Sequence, residues 1–135
     1  MEDELHSLVE EYRDCFLDRG ENTVEEVLGA WRLEKPVSSF GFSAVMADNP
    51  EQAKEDVIIF FEEHFYVATT HVPDLYNEEF YEIHVSRFKN LPEIASNLFA
   101  EEEFGYDGVH DVAGLLHGYD LKDIADFCRE EDLIK

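Results

Sequence analysis

Negative charge runs the whole length of this chain, and it governs how each element can fold. The 135 residues carry 33 Asp and Glu against 10 Lys and Arg, a net charge of −23. Residues 1–35 hold 11 acids and 4 bases, residues 36–88 hold 10 and 2, and residues 89–135 hold 12 and 4. This is not an acidic tail on a neutral domain; the folded surface must be negative throughout. Such a surface repels phosphate and anionic lipid, which argues against direct binding to nucleic acid or to a membrane. Its electrostatic complement is a basic partner.

Charge on this scale favours disorder unless enough apolar surface is buried. Here 44% of residues are apolar and 13% aromatic, with 11 Phe and 6 Tyr, enough for a core rich in rings. The length suits one domain, residues 1–135. The opening MEDELHSLVEEY is acidic and lacks the apolar stretch of a signal peptide. No apolar run reaches the ~18 residues a membrane span needs. A cytoplasmic location is therefore expected. Cys15 and Cys128 each stand beside a Phe in an apolar helical pattern and are expected as core thiols.

Periodicity gives the elements. Leu5, Leu8, Val9, Tyr12 and Phe16 recur at helical spacing, which predicts a helix over 3–19 stopped by Gly20. Thr23 and Glu26 have capping-box spacing, and a second helix is expected from there to Leu33. The apolar stretch Val37–Ala47 reads as a strand. Asn49-Pro50 is a cap followed by a first-turn proline, opening a helix to His64 with Ala53, Val57, Ile58 and Phe61 inward. Phe65–Val72 and Glu79–Phe88 read as an antiparallel hairpin, with Tyr81, Ile83 and Val85 on one face. Pro92 opens a helix to Glu103. Val109–Leu116 and Leu121–Cys128 read as two more, the first capped by Asp107 and the second by Asp120.

The expected class is therefore α+β: a small antiparallel sheet, one hairpin plus one strand, packed against about six helices, with a helical C-terminal third. The first two thirds of the element order is similar to that of an NTF2-like cone. The chain ends in helices where that fold needs more strands, and element order alone implies no function.

Motifs that fix a chemistry are absent. There is no phosphate-binding glycine loop, no G-x-S-x-G elbow, no H-E-x-x-H, no EF-hand loop and no C-x-x-C. No cofactor or metal is implied. His110 and His117 share a helix face with Asp107, but seven helical residues rise about 10.5 Å, too far for one metal. His64, His71 and His84 flank the hairpin. With the turn near Tyr76, His71 falls opposite Phe80–Tyr81 and His84 opposite Val67–Ala68, several rungs apart. A site of Glu63, His64 and one other histidine is conceivable; ordinary surface or half-buried histidine is the simpler reading.

The acids themselves form a pattern. Asp3, Glu10 and Asp14 fall on one stripe of the first helix, and Glu51, Glu55 and Glu62 on one stripe of the third. Glu10/Asp14 and Glu51/Glu55 are like-charge neighbours, each costing about 0.2–0.5 kcal/mol. Carboxylates one turn apart lie about 5–6 Å apart at Cβ, a spacing comparable to consecutive phosphates on a nucleic-acid strand. The expectation is a non-enzymatic inhibitor that occupies the basic groove of a nucleic-acid-binding protein or nuclease. In composition it resembles acidic antirestriction, anti-CRISPR and toxin-immunity proteins, groups that share chemistry rather than a fold. The expected contacts are Asp3, Glu10, Asp14, Glu51, Glu55, Glu62, Glu101, Glu102, Glu103, Asp120, Asp123 and Asp126, with Tyr76, Tyr106 and Tyr119 as aromatic anchors. Two alternatives stand beside it. One is a small enzyme or ligand-binding domain with a pocket lined by Trp31, Phe40, Phe42, Phe61, Tyr66 and His84. The other is a salt-adapted housekeeping protein whose repulsions are screened.

Overall fold

The structure is a computed structural model that describes residues 1–73, 79–100, 126 and 129–135. Among these residues the chain forms α1 (Glu2–Glu11), α2 (Thr23–Trp31), β1 (Ser38–Phe42), α3 (Pro50–His64), β2 (Tyr66–Pro73), β3 (Glu79–Ser86) and α4 (Leu91–Ala100). The class is α+β, with four α-helices among the described residues rather than about six. The helices expected over Val109–Leu116 and Leu121–Cys128 lie almost wholly outside them, although Asp126, Arg129 and Glu130 are helical.

α1 follows its pattern only to Glu11. Leu5 and Val9, four residues apart, are buried, and Glu2, Asp3 and Glu4 complement the positive end of the helix dipole. The chain then leaves the helix for two 3-10 turns, Arg13–Cys15 and Leu17–Gly20. The helix expected over 3–19 is overruled by tertiary pairing. Phe16 forms an antiparallel bridge with Phe42, and the Cys15 carbonyl accepts the Ser43 N–H at 2.8 Å. Gly20 is fixed by sterics: its φ is +76°, and a Cβ there would stand 2.3 Å from Val9 Cγ1.

The capping box is also corrected. α2 begins at Thr23, which is buried, and Asn22 at the cap position makes no side-chain cap hydrogen bond. Glu26 pairs instead with Lys35 at 2.8 Å. At its other end α2 is closed by Arg87, whose Nη1 donates to the Trp31 carbonyl at 2.8 Å while the guanidinium lies over the indole ring. α3 starts as expected, with Asn49 Oδ1 accepting the Gln52 N–H at 3.2 Å and Pro50 in the first turn. It ends under Lys135, whose Nζ donates to the carbonyls of Glu62 and Phe65 at 2.7 and 2.8 Å.

The sheet order is β1-β3-β2, all antiparallel. The hairpin register matches expectation: His71 faces Tyr81 and Ala68 faces His84. The strand expected over Val37–Ala47 is shorter, because the chain turns into a 3-10 segment at Ala44–Met46. Opposed residues of an antiparallel pair share a face. One face therefore carries Phe40, Phe42, Ile83 and Val85, buried against α1, α2 and α3 with Val27, Leu28, Val57, Phe61 and Phe65. Ring centroids of Phe40 and Phe61 lie 5.0 Å apart, and those of Phe16 and Phe42 5.4 Å. Cys15 is buried in this cluster as expected, and burial pushes its thiol pKa up; Cys128 lies outside the described residues. The opposite face is crossed by α4, which packs on β2 and β3.

Candidate functional site: an acidic helix pair and a buried polar cluster

α1 and α3 lie side by side, antiparallel. Tyr12 Oη donates to Asp56 Oδ2 at 2.5 Å near one end, and His64 Nε2 lies 3.6 Å from Glu4 Oε2 near the other, beyond hydrogen-bond length. Of the expected contact residues, Asp3 and Glu10 are exposed on α1, and Glu51, Glu55 and Glu62 on α3. Asp14 is exposed too, but it stands on a 3-10 turn beyond the end of α1 and is not part of that helix's stripe. Exposed Glu4, Glu11 and Glu63 and half-buried Asp56 add to the two rows, giving the helix pair a face dense in carboxylates. The sequence reading left those four out, although the same i, i+7 arithmetic applied to both helices finds Glu4/Glu11 and Asp56/Glu63.

Few cations answer these acids. Among the described residues the ion pairs on α1 and α3 are Arg13–Glu10 at 3.9 Å, Arg32–Glu2 at 3.4 Å and the His64–Glu4 contact. Lys54 of α3 lies over the Tyr81 ring, 4.0 Å from its centroid. Asp56 is held below the usual carboxylate range by hydrogen bonds from Tyr12 and Gln52, and the Tyr12 phenol is pushed up to about 12, first by that bond to Asp56 and then by burial and nearby charge. Between the first 3-10 turn and the start of α3 a groove of about 720 Å³ opens, lined by Glu10, Glu11, Asp14, Asp48 and Arg19, with Met46 71% exposed beside them.

The remaining expected contacts fall elsewhere. Asp126 is exposed and paired with Arg129 at 2.9 Å. Glu101, Glu102, Glu103, Asp120 and Asp123, the anchors Tyr76, Tyr106 and Tyr119, and His110 and His117 lie outside the described residues. His64 packs between Trp31 and Phe60, while His71 stacks on Tyr81. With His84 on the α4 side of the sheet, the three do not converge on Glu63. Among the described residues no group of three or more His, Cys, Asp and Glu is placed to hold a metal, and no helix is long and apolar enough to cross a membrane.

The six residues expected to line a pocket do not share one space. Phe40, Phe42 and Phe61 fill the core against each other, and Trp31 stacks edge-on against Phe65 at 5.8 Å. Tyr66 and His84 stand on the other face of the sheet, Tyr66 under Lys135.

That other face holds a polar cluster the sequence reading missed. Ser39 Oγ is 2.6 Å from His84 Nδ1, and Thr70 Oγ1 is 2.9 Å from His84 Nε2. Thr70 Oγ1 is 2.7 Å from Ser96 Oγ of α4, and Ser96 Oγ donates to the Thr69 carbonyl at 3.3 Å. His84 is fully buried, and Glu82, one pleat away and opposite Thr70, is 2% exposed. Burial lowers the His84 pKa to about 4, so the imidazole is neutral at neutral pH. The available signal was the alternation Glu82, His84, Ser86, which reads as a solvent face until a helix is laid across it.

No known protein family, curated protein or solved structure matches this chain.

Proposed function

We propose that this protein is an acidic interaction protein that occupies the basic groove of a nucleic-acid-binding protein or nuclease and blocks access to DNA or RNA. The observation that carries the reading is the exposed, sparsely compensated carboxylate face of α1 and α3, with Glu51, Glu55 and Glu62 making no ion pair among the described residues. On a helix such neighbours repel, and a basic partner relieves that repulsion while drawing the protein in by its field. Carboxylates one turn apart stand in for successive phosphates.

The test is retention of a host protein from nuclease-treated lysate at near-physiological salt, with and without heparin. A basic nucleic-acid-binding protein or nuclease, held without heparin and released by it, is the expected result. Combined Glu51→Lys, Glu55→Lys and Glu62→Lys exchange should weaken that capture about tenfold or more while the protein stays folded. Capture that survives reversal on every acidic face sinks the proposal. The salt-adapted alternative is separated by melting: it requires a melting temperature that climbs steeply into molar KCl, whereas an inhibitor is already folded at about 0.15 M salt, where exposed charges are screened beyond ~8 Å.

A further inference from the structure

The polar cluster has a direction, set by its last member. Ser96 Oγ donates to the Thr69 carbonyl, which can only accept. With that proton so placed, the Thr70 hydroxyl has two acceptors on Ser96, Oγ at 2.7 Å and the carbonyl at 3.4 Å, and we assign Thr70 as the donor. With its own proton committed, Thr70 Oγ1 accepts from His84 Nε2–H at 2.9 Å. A neutral imidazole protonated at Nε2 has a bare Nδ1, and that atom accepts the Ser39 hydroxyl at 2.6 Å. The backbone carbonyl at one end thus orients the imidazole tautomer, and the tautomer aims its lone pair at Ser39.

This is the arrangement of an activated nucleophile: a hydroxyl, a base within hydrogen-bond reach, and a third group orienting the base. Ser39, like Ser96 and unlike Thr70 and His84, is only partly buried. It lines a cavity of about 140 Å³ together with Gly41, Leu17, Asn22, Thr23 and Glu26. That is the liquid volume of four or five waters, at about 30 Å³ each, room for a small acyl group. The cavity reaches the first turn of α2, where Asn22 supplies no side-chain cap and the helix dipole is positive, a setting that favours a developing oxyanion. Glu26, the carboxylate in the lining, is turned to Lys35.

We propose that Ser39, with His84 as its base and Thr70 and Ser96 as positioning residues, is a nucleophilic site that accepts a small acyl group from an activated ester. Ser39 Oγ attacks the carbonyl carbon while its proton passes to His84 Nδ1. The ester C–O bond breaks, and the leaving oxygen takes that proton from Nδ1. The Nε2 proton stays on the Thr70 hydrogen bond throughout. The products are acyl-Ser39 and the free alcohol, with no oxidant or metal involved. This site is on the α4 side of the sheet and stands independently of the acidic helix pair.

The probe is p-nitrophenyl acetate, followed by p-nitrophenolate release, intact mass and peptide mapping. General-base assistance is worth about 10²-fold or more, so folded protein should acetylate Ser39 at least tenfold faster than the same peptide does in urea-unfolded protein. The burst should vanish in Ser39→Ala and fall in Thr70→Val, and its rate should drop as pH falls toward the His84 titration. A burst that persists in Ser39→Ala, or acetyl confined to lysines and the N-terminal amine, overturns the proposal. Should Ser39→Ala lose its fold by circular dichroism, the folded-versus-unfolded ratio at Ser39 in the natural chain decides alone: a ratio near one rejects the site.

Discussion

On one face of the sheet Phe40, Phe42, Ile83 and Val85 are buried against three helices; on the other, which α4 crosses, Thr70, Glu82, His84 and Ser86 are buried and Ser39 is half-buried beside them. Burial is equally deep, with Val85 and His84 both at zero exposure. The means differ. The apolar face gains from area and close packing, which tolerate small changes of shape. The polar face holds only while its donors meet their acceptors, since a buried polar group left alone costs more than its hydrogen bond contributed. The hydrogen bonds of the polar face tie β1, β3 and β2 to one another and β2 to α4.

Four perturbations bear on that contrast, taken from the largest effect down. Phe61→Ala removes a fully buried ring touching Phe40, Phe60 and Phe65, and should cost about 3–5 kcal/mol in urea unfolding, by a similar amount at pH 7 and pH 5. The polar face should instead respond to pH through His84. Its folded pKa of about 4 lies below the unfolded value of 6.5, so between them the unfolded state binds more protons. Stability from this group is complete above about pH 6.5 and is lost as pH falls toward 4, by roughly 3 kcal/mol in all. The difference in unfolding free energy between the natural chain and His84→Asn should narrow over that window, a subtraction that cancels the titration of the many carboxylates. A constant difference would show that His84 is not held neutral.

Thr70→Val keeps the shape but leaves His84 Nε2–H without this acceptor, and should cost about 1–3 kcal/mol. A loss as large as that of Phe61→Ala would mean the two faces are not distinct in kind. The smallest effect belongs to the outer surface. Glu55→Lys turns the Glu51/Glu55 repulsion into an attractive i, i+4 pair and should raise stability by about 0.2–0.5 kcal/mol at low salt, fading in 1 M KCl.

The apolar face was the legible one. Spacing alone found the inward residues of α1 and α3, the cap of α3 at Asn49-Pro50 and the hairpin register, because each depends on neighbours in sequence. Misreadings arose where a distant contact decides. Phe16 continues the helical period of Leu5 and Val9, yet its bridge to Phe42 draws the chain off the helix. Thr23 and Glu26 have capping-box spacing, but burial of Thr23 and the pull of Lys35 on Glu26 prevent it. His84 could not be placed with Ser39 because that pairing spans 45 residues, and because polar residues on alternate strand positions ordinarily face water. The acidic rows were visible, but not that α1 and α3 would lie against each other through Tyr12–Asp56 and Glu4–His64.

The order β1-β3-β2 also has a kinetic consequence. β2 and β3 are joined as a hairpin and can pair early, whereas β1 must return across the whole of α3 and the hairpin to reach the far edge of β3. Contacts so distant in sequence close late, after local structure has formed. On this hypothesis the bond between Ser39 and His84 forms only when β1 docks, among the last steps of folding. Ser39→Ala should then speed unfolding and leave the folding rate almost unchanged in a chevron measurement; a slowed folding limb would place β1 in the nucleus instead. A hydroxyl aimed at an imidazole would thus be assembled only in molecules that have finished folding.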